Sequence, residues 1–551
     1  FWLKSCAGCS LARSLASAAM AAAPTAPMHA APVSPEAETQ TLISRCSRKV
    51  SGPLATPYDF HQVALRNLRF DDEALLRGTF STDALRHWGA ILDVNNGGGD
   101  WYSLSEPADH VDVFVSHNWS NSRADKFLIL ALHFNLRPAV FSTVLVIFAV
   151  APLSVAGVLP TTVFTDPDGR RMGPWCQVFG LATFLFTLSC WQEICRLRPC
   201  RGKMLFLDRT CIHQTDDLLR QRGIEHIAAF LYFSWSLLVC YSDEYLQKLW
   251  TVYEVSAFML LHPGSAIHVR HAWFTKCLIS GIVIVFLLNM VWHILYIHHG
   301  TWGSLPIGRV SLYLTAICSV PASVAIGVMV LKLARVRMRI SERVKSFCFD
   351  EARCYNEGDR RVVKRNIVAF MKHQGHAETE ASEADIIREV DAMVQSDVPI
   401  LFEASLGRVG IPYHLVALVS LPYCLQAIDY ACTAVRDGTP VRSLCIFMVY
   451  QMTNGLAAAP VCLALSTTLA SRLVQDDRIG HTGSICIVAI AAVAVLGGSF
   501  CLLNIVVKRA IEGGHLELGV FIATLCCYYL AALFFYQPPE SNVHRRRLKD
   551  E

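Results

Sequence analysis

Residues 138–159, PAVFSTVLVIFAVAPLSVAGVL, carry no charged side chain. A helix needs about 20 mostly apolar residues to cross the hydrocarbon core of a bilayer, so this stretch reads as a span. Seven more stretches follow the same pattern, near 175–192, 274–297, 309–332, 410–431, 443–470, 483–506 and 517–536. Only helices and closed barrels satisfy their own backbone groups in lipid, so the runs point to a multi-pass α-helical membrane protein of about eight spans. Composition agrees: 53% of the chain is hydrophobic and 17% charged, against about 25% charged in soluble proteins.

Basic residues set the expected sidedness. Arg196, Arg198, Arg201 and Lys203 follow the second span, Arg335, Arg337 and Arg339 the fourth, and Arg545, Arg546, Arg547 and Lys549 the last. An even count puts all three groups on one side, with both termini cytoplasmic. Arg170, Arg171, Arg436, Arg442, Lys508 and Arg509 fall on the other side and weigh against this. Residues 223–242, GIEHIAAFLYFSWSLLVCYS, are apolar enough for a ninth span. Glu225 and His226 shorten their core, so a soluble helix followed by a buried strand is expected instead.

The spans divide the chain. Residues 1–44 are rich in Ala, Ser and Pro, and the first acidic residue is Glu36. They read as disordered, with Met20 as initiator and a transit peptide as the alternative. Residues 45–137 and 193–270 are two halves of a cytoplasmic α/β domain around a transmembrane hairpin, 138–192. Two spans occupy 271–332, amphipathic helices 333–409, four spans 410–537 and a basic tail 538–551. In 333–409, Val363, Ile367, Phe370 and Met371 recur at helical spacing, and Ser382-x-x-Asp385 is a capping signal before a second helix. These two helices can pair with each other, with the larger domain, or lie on the bilayer.

The net charge of +4, from 49 basic and 45 acidic residues, is too even to argue for nucleic acid. The 21 cysteines are scattered, many in apolar runs, and read as small apolar side chains. Cys6-x-x-Cys9 has no second pair, and Cys348, Cys354 and His373 lack ligand spacing, so no metal is expected. Within the spans, Asn289, His293, Gln426, Asp429, Gln451, Asn454 and Asn504 are the polar residues. Interhelical hydrogen bonding is their expected role, although His293 and Asp429 are ionisable.

The informative pattern lies in the larger domain. Val111 to His117 (VDVFVSH) and Met204 to Asp208 (MLFLD) read as strands, as do Leu237 to Cys240 and Ala266 to Val269. Helices are expected after the first strand, over 218–232, and from Asp243 to Leu261. Strand–helix alternation implies a parallel sheet, and ligands in such sheets sit at the carboxyl ends of the strands. Those ends carry Ser116, His117, Asp208 and Tyr241-Ser242.

These residues resemble the Toll/interleukin receptor (TIR) domain family. Asp112-Val113-Phe114-Val115-Ser116-His117 is similar to its first strand. Phe206-Leu207-Asp208 and the loop after it are similar to its second strand and interaction loop. Leu237 to Tyr245 with Trp250-x-x-x-Glu254 is similar to its third strand and W-C-x-x-E-L helix. The resemblance covers under a fifth of the chain. Thr251 replaces the usual Cys, the loop lacks Arg-Asp-x-x-Pro-Gly, and two spans interrupt the fold. The resemblance implies a domain that binds a protein partner or self-associates. For members that cleave NAD it implies NAD as substrate, Glu254 as the catalytic carboxylate at the ribose, and Ser116 and Trp250 as contacts. A carboxylate there would stabilise an oxocarbenium-like transition state. The plain readings are a surface glutamate for Glu254, a core anchor for Trp250, polar loop residues for His117 and His213, and a strand-terminal residue for Asp208. Asn118-Trp119-Ser120 is a glycosylation sequon, silent on the cytoplasmic side. Three functions remain open: a membrane-anchored signalling or interaction protein, an NAD-cleaving enzyme, and a transporter or channel.

Overall fold

The structure is a computed structural model. It describes residues 68–537 except 69, 71, 94–99, 162–163, 166–170, 198–200, 263–264, 298–306, 355–356, 374–380, 408 and 476–479, and side chains are not described through 292–319. The N-terminal segment, the basic tail 538–551 and the side chain of His293 lie outside the described residues.

A six-stranded sheet is built from β1 (Arg77–Phe80), β2 (Glu106–Pro107), β3 (Val113–His117), β4 (Met204–Phe206), β5 (Leu237–Tyr241) and β6 (Ile267–His271), in the order β2-β1-β4-β3-β5-β6. The four strands β4-β3-β5-β6 are parallel, in register at Val113–Leu205, His117–Cys240 and Tyr241–His271. β1 and β2 form an antiparallel edge. Gly78 lets the Met204 side chain lie close over β1, since a Cβ there would sit 2.4 Å from Met204 Sδ. Alternate side chains enter opposite layers. Phe114, Phe206, Val239 and Tyr241 face one core, and Val113, Val115, Leu205 and Leu238 face the other.

α1 (Arg123–Phe134) is N-capped by Ser122, which accepts from Asp125 N, and covers the second core. The first core receives α4 (Asp217–Glu225), α5 (Ile227–Tyr232) and α6 (Leu249–Leu261). Residues 223–242 are therefore the end of one helix, a second short helix and a strand. The helix expected from Asp243 begins only at Leu249. Tyr245–Gln247 forms a tight 3₁₀ turn, because Tyr245 turns inward to a buried position.

The sheet is joined to long apolar helices with little or no linker. Asn135 alone separates α1 from α2 (Leu136–Val155), and α3 (Trp175–Arg196) returns towards β4. Asn135 Nδ2 donates to Leu188 O at 2.9 Å and to Gln192 Oε1 at 3.1 Å, which locks the hairpin's base. β6 passes directly into α7 (Ala272–Ile297), and α8 (Ile307–Lys345) is one helix of 39 residues. The expected boundary at 332 thus falls inside a continuous helix. α9 (Glu357–His373) and α10 (Glu383–Leu406) pack with each other and into the same core as α6.

Six helices among the described residues are long and apolar enough to cross a membrane: α2, α3, α7 over 272–291, the run Val441–Gln475, α15 (His481–Glu512) and α16 (His515–Tyr536). The Val441–Gln475 run consists of α13 (Val441–Thr453), a π-turn and α14 (Ala459–Gln475). The expected span at 410–431 is a bent pair, α11 (Tyr413–Val419) and α12 (Leu421–Arg436), angled by 55°. Pro422 at the start of α12 lacks the N–H that would carry α11's ladder onward. The stretch 309–332 lies in α8 and is not among the six. Outward-facing Phe148, Ile490, Leu530 and Phe534 leave apolar surface exposed on α2, α15 and α16.

Candidate functional site

The parallel strands, taken in chain order, lie 2-1-3-4 across the sheet. The connection after β3 covers one face, and the connections after β4 and β5 cover the other. Such a reversal opens a crevice outside the carboxyl ends of the two central strands. Here those ends are Ser116-His117 and Cys240-Tyr241-Ser242.

On one face, the Ser116 hydroxyl donates to Glu254 Oε2 and shares a hydrogen bond with the Tyr245 hydroxyl. Ser116 and Tyr245 are fully buried, and Glu254 keeps partial contact with the surface. Burial pushes the Glu254 carboxyl up to about 8; the Ser116 bond opposes this and the nearby Asp208 adds to it. Burial likewise holds the Tyr245 phenol well above its ordinary value. Thr251, where the TIR-like pattern has Cys, donates to the Tyr245 carbonyl and so fixes the turn that presents Tyr245.

On the other face, Trp119 Nε1 donates to Asp208 Oδ2 at 2.8 Å, and His117 packs edge-on against Trp119. Asp208 opens a short helical turn, and its Oδ1 accepts from Arg209 N at 2.7 Å. It lies 3.8 Å from His117 Nε2. Burial lowers the His117 pKa, so the ring stays neutral near pH 7. Lys126 is 1% exposed, and its ammonium lies 4.7 Å from the Trp119 ring centroid.

The residues expected at the site separate. Ser116 and Glu254 meet. Trp250 does not join them: its indole donates to Asp359 Oδ2 on α9 at 3.1 Å. His213 accepts from Asp216 N within its own turn. Asn118 is buried, so its sequon is closed by packing as well. Among the described residues no group of His, Cys, Asp and Glu could hold a metal ion. Tyr245 and Lys126 were not anticipated. Lys126 was findable, because it shares a helical stripe with Ile129 and Leu130, where a lysine is out of place. Tyr245 left no local signal, since its role depends on a residue 129 positions away.

Asp429 has a different task. Its Oδ1 accepts from Cys176 N at 2.8 Å and its Oδ2 from Gln177 N at 2.9 Å, so α12 caps the start of α3. Gln451, Asn454 and Asn504 likewise hydrogen-bond within the helical bundle.

No family model, curated protein or solved structure matches the chain.

Proposed function

We propose that the chain is a multi-pass membrane protein of eight spans with cytoplasmic termini, and that its TIR-like α/β domain serves as a membrane-anchored signalling or interaction module. The continuity of sheet and apolar helices carries this reading. β6 enters α7 without a linker, and from α8 Arg343 donates to the Asp243 carbonyl while Arg339 pairs with the Asp243 carboxylate. A change at the strand ends therefore has a mechanical path to the bilayer. The 2-1-3-4 strand order, that of flavodoxin-like sheets, supports a TIR-like fold.

The topology draws support from which ends meet. Eight alternating spans place residues 176 and 429 on the outer side, and Asp429 caps Cys176. They place 442 and 513 there too, and Arg442 donates to Gly513 O at 3.1 Å. They place 335 and 481 inside, and Arg335 contacts His481. Glycosylation sequons introduced at 437–439 should be used and one at 475 should not; the opposite result removes the topology. For the module, differently labelled copies of the full chain in liposomes should show energy transfer above random mixing. Transfer at the random level across protein densities would argue against self-association and leave a separate protein partner as the only form of this reading.

A second reading, cleavage of NAD with Glu254 as catalytic carboxylate, is favoured by the Ser116–Tyr245–Glu254 network at the crevice. The carboxylate is useful at the ribose only when ionised, so turnover should rise through about pH 8. Nicotinamide release by the full chain, compared with Glu254→Ala, tests it; equal rates exclude this role. For the transporter reading, one of its two candidate ionisable residues, Asp429, is engaged as a cap, and the side chain of the other, His293, lies outside the described residues. Flux into liposomes, with Asp429→Asn as control, tests it.

A further inference from the structure

The crevice has a second wall that the Glu254 network does not use. Behind His117, the loop 118–122 brings Trp119 over the second core. Two cations flank that indole: Lys126 Nζ at 4.7 Å and the Arg209 guanidinium at 5.6 Å from the ring centroid. Arg209 is anchored, donating to Ile91 O at 3.2 Å. Lys126 is not: its ammonium is buried and has no hydrogen-bond partner. His117 Nε2 and Asn118 Nδ2 are also buried without partners, as is Ser242 Oγ at the end of β5.

A buried polar atom without a partner loses its hydration with no bond in return, and a charged one loses most. Lys126, His117, Asn118 and Ser242 together place four such atoms near the ends of β3 and β5. The acidic residues nearby do not answer the need. Asp208 spends its carboxylate on Trp119 Nε1 and Arg209 N, and no acceptor hydrogen-bonds the Lys126 ammonium. Asp208, Asp93, Cys240 and Arg209 act on it through their charges.

We propose that this wall is a binding site for a compact oxyanion, a phosphate or carboxylate group, received by the Lys126 ammonium beside Trp119. The proposal rests on the reading of the strand ends as a ligand crevice and gives that crevice a ligand class. An oxyanion supplies the acceptors that Lys126 and Asn118 lack. It also favours the charged form of the lysine, which burial disfavours. The indole offers a flat face for whatever carries the anion. The site lies across β3 from Glu254, because Ser116 and His117 point to opposite faces.

The test is thermal unfolding of the full chain in detergent, at fixed ionic strength, with inorganic phosphate, acetate or chloride. Phosphate, acetate or both should raise the midpoint by several degrees over chloride, and the arm that does so names the group. Lys126→Met, close in shape and uncharged, should lose that shift. It should also be as stable as the parent without anion, or more so, since a buried unpaired charge is gone. Equal shifts in parent and Lys126→Met, or no shift in the parent, overturn the proposal, as does a Lys126→Met protein that unfolds well below the parent. Glu254→Gln should keep the anion response. Failure of the oxyanion site is thereby separable from failure of NAD cleavage, which Glu254 substitutions report alone.

Discussion

Glu254 at the strand ends and Asp429 midway along α12 are both largely buried carboxylates, and their surroundings make them opposites. Asp429 faces two backbone N–H groups that α3 cannot satisfy itself, and both its oxygens are used. Glu254 faces one hydroxyl, which Tyr245 shares, beside the carboxyl end of β3. The first is a completed structural joint between helices. The second is under-coordinated and held near neutrality by burial, the condition in which a carboxyl can respond to a ligand. Burial alone distinguishes nothing here; the count of satisfied bonds does.

The widest separation between the two should come from Glu254→Ala. If the chain cleaves NAD, nicotinamide release falls on the order of 100-fold or more, whereas Asp429→Asn leaves it near the parent rate. Reversing the pair gives the next largest effect. Asp429→Ala strands two buried N–H groups and should cost about 2–4 kcal/mol, read as a lower unfolding midpoint in detergent. Asp429→Asn, which keeps one acceptor, should cost less, and an unchanged midpoint for Asp429→Ala would end the joint interpretation. A smaller effect concerns pH. Glu254 holds its proton more tightly folded than unfolded, so stability should fall as pH rises from about 4.5 to about 8. Glu254→Gln should flatten that part of the profile. Smallest is Ser116→Ala, which removes the bond that favours the ionised form and should move any Glu254-dependent pH profile upward, at about 1 kcal/mol of stability.

Much of this was legible in residue order. The valine-rich run at 111–117 and the short apolar run at 237–240 marked the central strands, and the periodicity of Val363 to Met371 and of Ile386 to Val394 marked α9 and α10. Two parts were not. The antiparallel edge β1–β2, where Gly78 passes Met204, joins distant residues and leaves no periodic trace. The seams between sheet and membrane were also hidden. The basic residues that report sidedness are partly spent as stitches: Arg201 pairs with Glu106 at 2.8 Å, Lys203 with Asp112 at 3.1 Å and Arg339 with Asp243. In sequence they look like a solvated cluster. Of the candidate site's residues, Ser116 and Glu254 were singled out by their pattern, Lys126 left a trace in its helical stripe, and Tyr245 emerged only through the fold that surrounds it.

The continuity of α8 has one more consequence. Its 39 residues, with Pro321 among them, measure about 58 Å along the axis if straight, nearly twice the ~30 Å of a bilayer's hydrocarbon. Helices accommodate changes in bilayer thickness by tilting, and on the proposed topology a tilt of ~10° about a membrane surface at residue 332 moves Arg343, about 16 Å beyond it, by ~3 Å. This end of the helix carries Arg339 and Arg343, which grip the loop between β5 and Tyr245. Lipid chain length would then set the position of Tyr245 against Ser116, making the crevice a gauge of the bilayer in which it sits. Structures in short- and long-chain lipid that superpose at Asp243 would show the helix to be clamped instead.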